Sequence, residues 1–390
     1  MVNAILANVF YGFPSKNLIV IGVTGTDGKT TTVNLIYHIL NDAGLNASMI
    51  STVGASLEGE YEDIGLHVTT PSPWTIQKLL RKIANSPVGK KYVVIEVTSH
   101  ALDQHRDWGI DFEVGALTNV TSEHLDYHKT FENYLKIKLR LIKKSKKAVV
   151  NKDDESYKYI KQGFGDDKKI LTYSMGDEVD LSGAMLKINN PSLLKFNIYN
   201  VLAAVLTVKT IGVDLKTADL ALKTFKLPTG RQDVVFENGF KVMIDFAHTP
   251  NSFEKLLSSV ELEGSGRIIH VFGCAGQRDS VKRPVMGEIS AKYAKVIILT
   301  AEDPRNESVE KITNDIELGI VPQVGDYQVF KISDRREAIA AAVTMAQKDD
   351  FVLITGKGHE KSMNFKGKEL PWSDEEAIRE ALAAKTEHAS

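Results

Sequence analysis

Four short apolar runs, Leu18–Val23, Tyr92–Val97, Val114–Leu117 and Ala148–Val150, alternate with stretches in which apolar positions recur every three or four residues. Short continuous apolar runs predict strands buried on both faces of a parallel sheet, and the periodic stretches between them predict the helices that cover it. Ser72-Pro73 predicts a helix start, with Ile76, Leu79, Leu80 and Ile83 on its inner stripe and Trp74 in its first turn. A helix over Ile198–Ile211 closes this series, and Leu227-Pro-Thr-Gly230 has the composition of a linker. A second series follows: Val242–Phe246, Ile268–Phe272, Val296–Leu299 and Phe351–Ile354. Each of these strands runs into a polar loop: Asp245–His248, Gly273–Asp279, Glu302–Arg305 and Gly356–Glu360. Ligands bind beyond the carboxyl ends of strands in open α/β sheets, so four such loops predict a ligand platform. The expectation is an N-terminal stub (1–17), a first α/β domain (18–226) and a second (227–390), the two domains facing each other across a cleft.

A formal charge of −2 gives no electrostatic reason to expect a nucleic-acid or membrane partner. The basic run Lys136–Lys147 lies on a predicted helix and is mostly a solvated face. Cys274 is the single cysteine, so no intramolecular disulfide forms, which suits a reducing cytosol. With neither a signal peptide nor a spanning apolar stretch in view, a cytoplasmic location is expected.

The densest chemistry follows the first strand. Residues 22–32 read Gly-Val-Thr-Gly-Thr-Asp-Gly-Lys-Thr-Thr-Thr. A strand, a glycine-rich turn and a helix start make a phosphate cradle: backbone N–H groups point at the anion, Lys29 adds a charge, and Thr30 is placed to hold Mg²⁺. The glycines stand at 25 and 28, a spacing that departs from the common loop and marks a variant class. Glu96, at the end of a buried run, is either a Mg²⁺ ligand or a cap on the next helix. His124, Asp126 and His128 stand within five residues and either bind a metal or hydrogen-bond a loop. In the next helix Phe131, Tyr134, Leu135, Leu139 and Ile142 form an apolar face, and the helical period puts Lys138 on it. Desolvation there lowers a lysine's pKa and raises its neutral fraction, which allows reaction with CO₂ to a carbamate; the alternative is a lysine that snorkels to water.

These segments resemble, in order, the Mur ligase family, ATP-dependent amide ligases of peptidoglycan precursor synthesis. The motifs are Gly25–Thr31, Thr69–Pro73, Glu96–Leu102, Glu123–His128 with Lys138, Gly230-Arg231, Asp245–Pro250, Gly273–Asp279 and Gly356–Glu360. The resemblance is strongest to members that add diaminopimelate or L-lysine as the third residue of the muramyl peptide. It implies a P-loop central domain with a parallel or mixed sheet flanked by helices, followed by a Rossmann-like α/β domain. ATP would be held by Gly25, Thr26, Asp27, Gly28, Lys29, Thr30 and Thr31, with Asn197 and Asn200 at the adenine and Arg231, Asp245 and His248 closing from the second domain. Mg²⁺ would be held by Thr30, Glu96, His124 and a carbamylated Lys138; Lys29, His124 and Lys138 would be catalytic. Thr69, Thr70, Ser99 and Arg106 would line the muramyl-peptide path, and Arg278, Asp303, Arg305, Gly356 and Glu360 would select the amino acid.

The sequence departs from the family pattern in two places. About 17 residues precede the first strand, where the family usually carries a uridine-binding domain, so a partner supplying uridine recognition or a different acceptor is implied. The selecting segment, Asp-Asn-Pro-Arg in diaminopimelate-adding members, reads Glu302-Asp-Pro-Arg305 here. An arginine pair suits the distal carboxylate of diaminopimelate, whereas Asp303 adds a negative charge that would suit the amine of lysine. The expected partners are small-molecule substrates. The rival expectations are a folylpolyglutamate-type or other Mur-like ligase, and an ATP-binding subunit without catalysis.

Overall fold

A computed structural model describes residues 1–57, 59–62, 69–87, 89–121, 123, 125–163, 169–188, 190, 193, 197–262, 264–320 and 326–389. They form two compact units, Met1–Lys226 and Leu227–Ser390.

The first unit is built on a nine-stranded sheet: β1 Ile19–Thr24, β2 Asn46–Ile50, β3 Ala55–Leu57, β4 Glu60–Glu62, β5 Lys91–Glu96, β6 Phe112–Leu117, β7 Lys147–Asn151, β8 Lys169–Ser174 and β9 Leu181–Ser182, in the order β4-β3-β2-β5-β1-β6-β7-β8-β9. The four apolar runs are the central strands, and all pair in parallel. The sheet is mixed because β2, β3 and β4 pair antiparallel at one edge. Those short strands carry polar residues at alternate positions, so no continuous apolar run betrays them. The phosphate-loop strand β1 lies between β5 and β6, which places the ends of all three side by side. One face is covered by Ile76, Leu79, Leu80 and Ile83 of the helix Pro73–Ala84, whose cap Ser72 accepts from the Thr75 N–H.

One expectation about this unit is corrected. The helix at 198 runs Ile198–Lys209, and a further helix, Leu215–Thr224, follows it within the unit, capped by Asp214. Its inner face is only Ala218, Ala221 and Leu222, too small an apolar stripe to stand out in sequence. Within residues 1–17, which are counted with the first unit, Val2–Tyr11 is a helix and Pro14–Asn17 a 3₁₀ turn. Ala4, Ala7 and Asn8 are buried, and Asn8 Nδ2 donates to Trp108 O at 2.5 Å.

The second unit holds β10 Asp233–Asn238, β11 Phe240–Asp245, β12 Ile268–Phe272, β13 Val296–Leu299, β14 Gln328–Lys331 and β15 Phe351–Thr355, in the order β10-β11-β15-β12-β13-β14, with a hairpin of β16 Ser362–Phe365 and β17 Lys368–Pro371. Only β10 is antiparallel in the six-stranded sheet. The neighbours β11, β15, β12 and β13 carry the four polar loops at their carboxyl ends, so all four share one rim. Among the described residues no helix is long and apolar enough to cross a membrane.

Candidate functional site

In the first unit, three successive carbonyls of the phosphate loop are each taken by a side-chain donor. Lys138 Nζ donates to Gly25 O at 2.5 Å and Lys29 Nζ to Thr26 O at 2.6 Å. Asp27 O accepts from Thr118 Oγ1 at 2.7 Å and from Asn119 Nδ2 at 3.0 Å. Asn119 also accepts the Asp27 N–H on Oδ1 at 3.0 Å, so its amide grips both sides of one residue. Gly25 and Gly28 are required here. Both have positive φ, and an added Cβ would meet Thr118 Oγ1 at 1.8 Å or Asn200 Oδ1 at 2.1 Å. From Lys29 the chain is helical to Asp42, with the helix start next to the loop, the arrangement that binds a phosphate anion.

Glu96 is 2% exposed and accepts from Thr30 Oγ1 at 3.0 Å and Thr52 Oγ1 at 3.2 Å. The helix after it is capped by Thr98 instead, so Glu96 is not a helix cap. A buried carboxylate and a hydroxyl at the helix start are hard oxygen donors that fit Mg²⁺, an ion that takes few protein ligands and completes its shell with water and phosphate. Among the described residues no three His, Cys, Asp or Glu side chains form a fuller metal cage.

Lys138 does not snorkel; it is fully buried, over the Tyr134 ring at 4.4 Å. Burial, reinforced by the nearby Lys29 charge, holds its amine well below the ordinary lysine range, and Glu123, Asp27 and Glu96 oppose that shift. Elsewhere in the run Lys136, Lys143, Lys144 and Lys146 retain solvent access. His128 is buried and its Nε2 lies 3.1 Å from Ser99 Oγ. His124 lies outside the described residues, and of the Asp126 side chain nothing is described.

Thr69, Thr70, Ser99 and Arg106 come together beside Glu96. Thr70 Oγ1 donates to Glu96 O at 2.9 Å, the hydroxyls of Thr69 and Thr98 are 2.7 Å apart, and Arg106 Nη1 donates to Thr70 O at 2.5 Å. Asn200 Nδ2 donates to Asn197 Oδ1 at 2.9 Å, which holds Asn200 against Gly28.

In the second unit Arg231 stacks on the Phe246 ring at 4.2 Å. Asp245 accepts from the Gln232 and Ala247 N–H groups at 2.8 and 2.6 Å; its burial pushes the carboxyl pKa up against the pull of Arg231. His248 Nδ1 lies 2.8 Å from Phe246 O. At the neighbouring loops Gly276 N donates to Asp303 O at 3.0 Å and Arg305 Nη1 to Gly276 O at 3.4 Å, which ties the loop bearing Arg278 to Glu302–Arg305. Asp303 and Arg305 both adopt left-handed backbone, strain of the kind concentrated at functional sites.

Asp303 is anchored within the second unit's loops. Its Oδ1 accepts from Lys357 Nζ at 2.8 Å and from the Asn364 N–H at 2.9 Å, and Lys357 pairs with Glu360 at 2.5 Å. The buried Lys357 was legible only as part of the Gly356–Glu360 motif. Glu302 was missed as a site residue too: it is 7% exposed, its Oε2 has no hydrogen-bond partner, and burial raises its carboxyl to about 7 despite Lys282, His248, Arg335 and Lys357. Gly356 is placed against it, since a Cβ there would meet Glu302 Oε2 at 2.3 Å. Thr118 and Asn119 were likewise missed, because nothing in sequence links the end of β6 to a loop more than 90 residues away.

A unit with a phosphate loop after its central β1, and a separate α/β unit with four loops on one rim, define a two-unit nucleotide-dependent enzyme. The chain matches the Mur ligase middle domain over residues 23–208 and the Mur ligase glutamate ligase domain over residues 230–358. It is 36% identical over 402 residues to UDP-N-acetylmuramoyl-L-alanyl-D-glutamate--2,6-diaminopimelate ligase 1 of Clostridium acetobutylicum, covering 97% of this chain and 81% of that protein. To the corresponding Aquifex aeolicus ligase it is 39% identical, covering 96% and 80%. A solved structure of UDP-N-acetylmuramoyl-L-alanyl-D-glutamate--2,6-diaminopimelate ligase superposes with TM-score 0.62 at 31% identity, covering 95% of this chain and 79% of that one. E. coli FolC in complex with DHPP and ADP is similar in fold, with TM-score 0.72 at 15% identity, covering 100% and 93%. The chain belongs to the Mur ligase family, and it is an enzyme that couples ATP to amide-bond formation on small-molecule substrates.

Asn119→Ala removes two hydrogen bonds of about 1 kcal/mol each from the loop. Nucleotide affinity should fall about thirtyfold, read as a smaller ADP-induced rise in the thermal unfolding midpoint; an unchanged rise would show that Asn119 does not shape the loop.

Proposed function

We propose that this chain joins 2,6-diaminopimelate to the D-glutamyl carboxylate of UDP-N-acetylmuramoyl-L-alanyl-D-glutamate, with ATP, in the cytoplasm. Similarity across 97% of the chain to a ligase named for that reaction carries the proposal. The acceptor carboxylate attacks the γ-phosphorus, giving an acyl phosphate and ADP; the incoming amine then attacks the acyl carbon and phosphate leaves. Lys29 and the N–H groups at the helix start take up the phosphate charge. Thr30 and Glu96 would hold Mg²⁺, which offsets charge on the transferring group. Thr69, Thr70, Ser99 and Arg106 line the acceptor path. Asn197 and Asn200, with Arg231, Asp245 and His248, serve ATP.

Lys138 is carbamylated in this reading. Its burial favours the neutral amine, which adds to CO₂ with release of one proton, and the carbamate with His124 would be the residues to support Mg²⁺. The amino acid is received by Arg278, Glu302, Arg305, Gly356 and Glu360. Asp303 and Glu360 share the single Lys357 charge, so Asp303 is held inside the loops by an ion pair. Arg305 suits a carboxylate that diaminopimelate has at its far end and lysine lacks.

Phosphate release by the purified chain with ATP, Mg²⁺ and the UDP-muramyl dipeptide should depend on meso-diaminopimelate and not on L-lysine. Lysine-dependent release would overturn the amino-acid assignment. Release only with a folate-type acceptor would overturn the acceptor. Isotopically labelled bicarbonate should give a carbamate resonance that Lys138→Ala abolishes together with turnover; full activity in that variant would remove the carbamate from the mechanism. The Glu302 carboxyl is protonated below about 7 and anionic above it. The KM for diaminopimelate should therefore fall as pH rises through that value, and Glu302→Gln should flatten the profile; the same slope in both proteins would exclude Glu302 from amine binding.

A further inference from the structure

Arg335 and Asp374 are both fully buried and bonded at two points, Nε to Oδ1 and Nη2 to Oδ2, each at 2.8 Å. Trp372 Nε1 also donates to Asp374 Oδ1 at 2.8 Å. The rest of the guanidinium serves backbone carbonyls: Nη1 donates to Ala301 O at 3.3 Å and Nη2 to Thr355 O at 2.9 Å. A buried pair of this kind is a poor stabilising device. Desolvating two ions costs several kcal/mol, and well-packed apolar residues in their place often leave stability equal or higher. Its placement suggests another role.

Ala301 and Thr355 immediately precede Glu302 and Gly356; Thr355 ends β15 and Ala301 lies two residues beyond β13. These strands are not neighbours; β12 lies between them. The two ladders through β12 set their spacing only as far as Ile354 and Thr300, and beyond them Gly273 brings no side chain between the loops. Arg335 reaches both ends with one rigid planar group, and Asp374 fixes that group's orientation. The two loops so tied are joined further out by Lys357, which meets Asp303 on one and Glu360 on the other.

We propose that Arg335, oriented by Asp374, is a positioning residue that sets the spacing of the Glu302–Arg305 and Gly356–Glu360 loops and thereby the affinity for the incoming amino acid. This rests on the reading that those loops receive that amino acid. The test is the double variant Arg335→Met/Asp374→Leu in the full chain, followed by thermal unfolding and by separate KM values for diaminopimelate, ATP and the muramyl dipeptide. The expected result is an unfolding midpoint equal to or above that of the parent, a KM for diaminopimelate raised about ten- to a hundredfold, and the other two KM values unchanged. An unchanged KM for diaminopimelate, or an equal rise in all three, overturns the proposal. Arg335→Lys keeps the charge without the planar fork; it should raise the same single KM, and it decides the question if the double variant does not fold. Arg305→Ala separates the two layers of inference. If it leaves the KM for diaminopimelate unchanged, the loops do not bind the amino acid and both readings fail. If it raises that KM while the Arg335 variants do not, only the positioning role fails.

Discussion

A phosphate cradle works only if its loop holds its shape before the nucleotide arrives, and in this protein side chains hold that shape by taking up the loop's carbonyls. Gly25, Thr26 and Asp27 each give their oxygen to a side chain: Lys138 from a following helix, Lys29 from the loop's own helix, and Thr118 with Asn119 from the end of β6. The N–H groups of the first two of these peptides are held as well, Thr26 N–H by Asn119 O at 2.9 Å and Asp27 N–H by Asn119 Oδ1 at 3.0 Å, so the loop is clamped on both sides. The order β5-β1-β6 makes this possible, because it brings Glu96 and Thr118-Asn119 to either side of the loop.

The same contacts couple Lys138 to the nucleotide. Its amine is dry and sits against Gly25 O, so any change in its charge or its covalent state is felt directly by the loop. A lysine placed there purely for stability would be a poor choice, since burial disfavours its charged form.

The second unit handles charge differently. Its loops contain Glu302, Asp303, Arg305, Lys357 and Glu360, and the structure resolves most of this density into internal pairs. Asp303 shares Lys357 with Glu360 and accepts a backbone amide, which gives one of the two residues that depart from the family's selecting segment a partner inside the site. Charge read along a sequence counts every carboxylate as available; charge in a folded site counts only what its neighbours leave over.

Much of the architecture was legible in the chain. Continuous apolar runs marked the central strands, because a strand buried on both faces has no polar positions to hide it, and Ser72-Pro73 marked a helix start by local capping chemistry. Local motifs also located the phosphate loop and the loops at the rim of the second sheet. The short strands β2–β4 and the helix Leu215–Thr224 escaped, since their apolar faces are too narrow to give a period. The periodicity put Lys138 on an inner face, but whether it reached water was a question of depth that only packing answered. The Asn119 clamp, the Asp303–Lys357 pair and the bridge from Arg335 to two non-adjacent strands join residues from 34 to 92 positions apart except at one short step, Arg335 to Thr355. Such contacts leave no mark in local pattern: propensity and periodicity act over a few residues, whereas the free energy of a buried polar group depends on whichever distant partner the fold brings to it.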